Sequence, residues 1–63
     1  MSNLCLYQVE QYNARTGART ATVRGLNHFD IMELLEGYTS TGSAPRWIFT
    51  KPGSRFRYVV TAY

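Results

Sequence analysis

Few side chains in this sequence could carry covalent chemistry, and their spacing does not bring them together. His28 is the only histidine and Cys5 the only cysteine. Nucleophilic catalysis needs a thiol or hydroxyl held beside an oriented base. Cys5 falls in a stretch expected to face a core, so a Cys–His pair would form only by accident. Together the two residues also fall short of the four ligands of a structural zinc site. Asp30, Glu33 and Glu36 make a row of carboxylates without the further oxygen donors that calcium takes, which reads as a solvated face. Gly37, Gly42 and Ser43 follow the helical segment instead of preceding it and so build no phosphate cradle. Walker, Rossmann, zinc and kinase patterns are absent. A deep ligand pocket, on the order of 300–1,000 Å³, is hard to build from so short a chain. The expectation is therefore no enzyme, no metal and no cofactor.

The chemistry that is present is recognition. The basic residues are six arginines to one lysine, and aromatics make up 14% of the chain. Arginine and aromatic side chains are enriched where proteins bind, and lysine is depleted there. Charge is also segregated. Asn27–Tyr38 carries −3 through Asp30, Glu33 and Glu36, and the remainder carries +6. Such a dipole can steer encounter with an anionic partner.

Sixty-three residues with 44% hydrophobic and 17% charged content specify one folded domain over residues 1–63, not a disordered tail. A core of this size supplies only about 3–5 kcal/mol. With no disulfide or metal staple available, stability must come from good packing, self-association or a partner. No apolar run approaches the ~20 residues of a membrane span, and no signal-peptide pattern precedes residue 20. The lone cysteine suits a reducing, cytoplasmic setting.

Alternation predicts a strand over Leu4–Tyr12, with Cys5, Tyr7 and Val9 on one face. After the turn Asn13–Ala18, a second strand over Arg19–Arg24 points Ala21 and Val23 inward and Thr20, Thr22 and Arg24 outward. Asn27 can cap a helix with Asp30 three residues on, and Leu26 and Ile31 sit at the staple positions. Ile31, Leu34, Leu35 and Tyr38 then share a helical face, and Gly37 stops the helix. Phe29 is expected to fold over the first helical turn against Leu26 or the neighbouring loop. Thr39–Pro45 reads as a mobile loop. Trp47–Thr50 and Phe56–Ala62 are strands around a Pro52-Gly53 turn. A two-residue loop there sets Phe49 opposite Phe56 and Trp47 opposite Tyr58. Because a type II turn matches strand twist poorly, a slightly longer loop is the alternative.

The predicted fold is α+β: a small antiparallel β-sheet of two hairpins, in the order β-β-α-β-β, with one amphipathic helix packed on one face. Its core would be Tyr7, Val9, Ala21, Val23, Ile31, Leu34, Leu35, Trp47, Phe49, Phe56, Tyr58 and Val60. Parity leaves Leu4, Leu6, Glu10, Tyr12, Arg24, Arg46, Ile48, Arg55, Arg57, Val59 and Tyr63 on the uncovered side. With Arg15 and Arg19 of the first hairpin loop, that side supplies the candidate partner-binding residues: Tyr12, Arg15, Arg19, Arg24, Arg46, Ile48, Arg55, Arg57 and Tyr63. The leading expectation is a non-catalytic module that binds another protein, with an acidic surface, and modulates or inhibits it. Chains this small and this poor in chemistry suit accessory proteins of phages and mobile elements. The alternatives are a single-stranded nucleic-acid binder using the same basic, aromatic face, which lacks any RNP-like signature, and a homodimer. An ordinary solvated face is the simplest competing explanation.

Overall fold

In the computed structural model, which describes residues 6–63, five strands and one helix follow one another along the chain. They are β1 (Tyr7–Asn13), β2 (Arg19–Leu26), α1 (His28–Leu34), β3 (Thr39–Ser43), β4 (Arg46–Thr50) and β5 (Phe56–Ala62). The strands form one antiparallel sheet in the order β2-β1-β5-β4-β3, so the first and last strands pair at its centre. Leu4 and Cys5, expected at the start of β1, lie outside the described residues.

One face of the sheet, here called the near face, carries the core. Val60 on β5 sits between Val9 on β1 and Trp47 on β4. Ile31 and Leu35 close on Val9 and Val60, and Tyr7, Leu26, Tyr38, Trp47, Phe49 and Tyr58 pack around this cluster. Val60 is the most deeply buried side chain, at 1% exposure. Full burial of such a residue contributes about 1.5–3 kcal/mol. Farther along the near face a polar row fixes the register. Thr20 Oγ1 donates to Gln11 Oε1 at 2.9 Å, and Gln11 Nε2 donates to Tyr58 Oη at 3.0 Å.

The helix starts as its sequence requires. The Asp30 N–H donates to Asn27 Oδ1 at 2.9 Å, and the Asn27 N–H donates to Asp30 Oδ2 at 3.1 Å. This reciprocal pair satisfies two backbone donors that the first turn would otherwise leave open. The helix is shorter than the predicted Asn27–Tyr38 because the chain turns at Leu35–Gly37. There the Tyr38 N–H donates to the Leu35 carbonyl at 3.0 Å. Tyr38 then leaves the helix and meets Tyr58 edge-on at 5.4 Å, its hydroxyl 2.8 Å from Ser54 Oγ.

Several expectations are corrected. Thr39–Ser43 is a strand, not a mobile loop: Thr39, Ser40 and Thr41 pair with Thr50, Phe49 and Ile48 of β4. Small polar residues hide an edge strand, whose outward groups need no apolar pattern. Phe49 lies opposite Tyr58, not Phe56, and Trp47 lies opposite Val60, not Tyr58. Pro52-Gly53 does occupy the centre of a turn closed by Ser54 N–H donating to the Lys51 carbonyl at 3.0 Å. Arg55 lengthens that loop, and the pairing slides by two residues. Ala21, Val23 and Leu34 are exposed, because β2 is an edge strand that the seven-residue helix covers only in part. Phe29 also points to solvent, at 77% exposure, edge-on to His28 at 5.8 Å instead of folded onto Leu26.

Candidate interaction face

The opposite, far face of the sheet brings together most of the sequence-selected residues. Arg46 and Ile48 alternate with Trp47 and Phe49 on β4, and Arg57 and Val59 alternate with Tyr58 and Val60 on β5. Tyr12 lies opposite Arg57, Glu10 opposite Val59, and Ile48 opposite Val59 from the other side. Arg46, Ile48, Arg57 and Tyr63 are exposed, whereas Tyr12 is half-buried. Val59 departs from expectation. It is 6% exposed, sealed between its neighbours instead of offered to solvent.

Two guanidinium–aromatic stacks order this face. Arg57 lies 5.7 Å from the centre of the Tyr12 ring, and Arg24 lies 5.2 Å from the centre of the Tyr63 ring. Contacts of this kind contribute about 0.5–1 kcal/mol at exposed sites. Tyr63 crosses over β1 to reach β2, where the Gly25 N–H donates to its hydroxyl oxygen at 2.9 Å. The Tyr12 hydroxyl in turn donates to Glu10 Oε2 at 3.3 Å, and Arg19 pairs with the same oxygen at 3.1 Å. Arg19 is thus held by the Glu10 carboxylate and Arg24 and Arg57 by tyrosine rings, so three arginines of this face are partly ordered before any partner arrives.

Two breaks in the β1–β2 register determine which β2 residues join this surface. Strict alternation would put Arg19 on the near face with Ala21 and Val23. The shift between Gln11 and Tyr12 instead sets Arg19 opposite Tyr12, within reach of Glu10. At the other end Gly25, with φ +76°, absorbs a second shift. Only glycine takes that conformation without strain. It lets Arg24 stay over Tyr63 while Leu26 turns back into the core. Gly25 is the one sequence signal for its bulge, the shift near Tyr12 has none, and Glu10 as the shared acceptor was likewise not foreseen.

Arg15 and Arg55 stand apart from the face, on loops at one end of the sheet. Those loops touch: the Ala14 N–H donates to the Arg55 carbonyl at 2.9 Å. Asn13 Oδ1 accepts from the Arg15 and Thr16 N–H groups at 2.8 and 3.0 Å, which holds the first loop in shape. Both arginines are exposed and extend the basic surface around the rim. Asp30, Glu33 and Glu36 belong to α1 and its C-terminal turn, all three exposed.

A groove of about 540 Å³ also opens on the near face, lined by Tyr7, Ile31, Met32, Trp47 and Phe49, with His28 and Glu36 at its margin. The sequence reading expected no pocket of this size from so short a chain, and the groove corrects it. Among the described residues, no three His, Cys, Asp or Glu side chains gather as metal ligands. Among the same residues, no helix is long and apolar enough to cross a membrane. Comparison with family models, curated proteins and solved structures finds no match to this chain.

Proposed function

We propose that this chain is a non-catalytic interaction module that docks an acidic surface of another protein onto the far face of its sheet and thereby modulates or blocks that protein. The observation that supports this reading is that Arg19, Arg24, Arg46 and Arg57 share one face of the sheet with exposed Ile48 and Tyr63, with Glu10 the one carboxylate on that face among the described residues. A surface meant only for solubility gains nothing from stacking its arginines on tyrosines. A contact surface does, because side chains already ordered lose less entropy on binding. The acidic helix on the other layer leaves the molecule electrically lopsided, which orients it toward a negative target.

Arginine and tyrosine anchors near the centre of an interface typically contribute about 2 kcal/mol or more each, roughly a thirtyfold change in affinity. Arg57→Glu is therefore expected to release partners captured from the native cell while the far-UV spectrum stays native. Capture should survive nuclease treatment and respond modestly to salt. An undiminished set of partners in Arg57→Glu would refute the proposed face. Loss of capture on nuclease treatment, with affinity falling linearly in log–log salt plots, would replace the protein partner by nucleic acid.

A further inference from the structure

We propose that two copies of this chain join edge to edge through β2, making one continuous ten-stranded sheet about a twofold axis near Val23. β2 ends the sheet on one side, and every residue from Arg19 to Gly25 is exposed. An edge strand presents a row of unpaired backbone donors and acceptors, which proteins usually blunt with charged side chains, proline, bulges or a covering element. On β2 the charges, Arg19 and Arg24, and the two register shifts flank the middle of the strand, leaving Ala21–Val23 regular and uncharged.

Beside this edge lies an apolar cleft of about 530 Å³, lined by Val23, Leu26 and Leu34 with Asp30 and Glu33 at its rim. Val23 and Leu34 are 48% and 50% exposed, unusual for a valine on a strand and a leucine on the helix packed beside it. The opposite edge, β3, is shorter and offers only threonine, serine and glycine.

A second copy fits this cleft for two reasons. Antiparallel pairing about a twofold axis perpendicular to the sheet keeps both near faces on the same side, so each Val23 meets its counterpart and each Leu34 closes over the joint. Such an interface is self-complementary by symmetry. The same pairing lays the start of one β2 beside the end of the other. The loop bearing Arg15 on each copy then approaches Asp30 and Glu33 of its neighbour, opposite charges in both halves of the joint. The two far faces also become one surface carrying two sets of arginines, although this inference does not depend on what that surface binds.

The test is mass in solution together with a crosslink at the axis. Light scattering over a concentration series is expected to rise from 7.2 kDa to twice that value. Val23→Lys should hold the chain at the monomer mass with a native far-UV spectrum. In a Cys5→Ser background, Val23→Cys should form a disulfide-linked dimer on mild oxidation. Glu33→Arg should weaken dimerisation at least tenfold at low salt, and adding Arg15→Glu should restore it. A monomer mass at every concentration, a dimer untouched by Val23→Lys, or no crosslink through residue 23 would each overturn the proposal. Arg57→Glu should leave the mass unchanged, so the dimer and the far-face reading can fail separately.

Discussion

Val59 and Val60 are consecutive on the central strand β5, face opposite sides of the sheet, and are both almost wholly buried, at 6% and 1% exposure. Alternation alone would leave Val59 in water, where truncation changes stability by no more than about 0.5 kcal/mol. The structure buries both: Val60 lies between Val9 and Trp47 within the core cluster, and Val59 between Glu10 and Ile48 on the other face. Valine to alanine removes two methylene-sized groups, about 0.8 kcal/mol each, and a small cavity raises the total to about 2 kcal/mol. Against a domain stability of about 3–5 kcal/mol, that is half the total. Each variant is thus expected to lower the melting temperature by roughly 8–16 °C. Urea denaturation followed by Trp47 fluorescence and by circular dichroism measures both variants directly. If Val59→Ala melts with the wild type while Val60→Ala falls, the far face is not sealed over Val59 and its described packing is wrong.

The helix cap offers a second measurement. Asn27→Ala removes the acceptor for the Asp30 N–H and should cost about 1 kcal/mol by chemical denaturation. A double-mutant cycle with Asp30→Ala should reveal coupling, because the two residues bond each other's backbone. On β3, Gly42 has φ +95°, and a β-carbon there would lie 3.0 Å from the Arg46 carbonyl oxygen. Gly42→Ala should destabilise by more than about 1 kcal/mol and loosen the β3–β4 pair, read by faster amide exchange across Ser40–Ile48. Wild-type exchange rates would contradict that geometry.

Local signals in the sequence located what they could reach. The helix start is written in Asn27, Asp30, Leu26 and Ile31, all within six residues, and β5 follows from its apolar run. What escaped depends on partners distant along the chain. The exposure of Val23 and Leu34 follows from β2 taking an edge and from the helix stopping at Leu34, and neither is a local property. β3 lacks hydrophobic alternation because its inner face meets Phe49 and Trp47 with only Ser40 and Gly42. On the candidate face, parity correctly grouped Tyr12, Ile48 and Arg57. It assigned Arg19 to neither face and could not foresee Glu10 as its partner, since one bulge reverses the side on which a residue emerges. Parity also set Arg55 on that face, but the lengthened turn before β5 leaves it with Arg15 in loops at the end of the sheet, joined by a hydrogen bond between residues far apart in sequence.

The placement of β1 beside β5 has a kinetic consequence. The seam at the centre of the sheet joins Tyr7 to Ala62 and Asn13 to Phe56, so it cannot close until Phe56–Ala62 has been synthesised. Before then the β1–β2 and β3–β4 pairs can form only as separate ribbons, each marginal alone in water. Contacts this remote along the chain slow folding, because loop closure must come before any reward. Joining the chain's two ends and opening it at the Asn13–Ala18 turn would make β5 and β1 sequential neighbours but send β2 to the opposite end of the chain from β1, so the remote closure would move to the β1–β2 seam and folding would gain no speed.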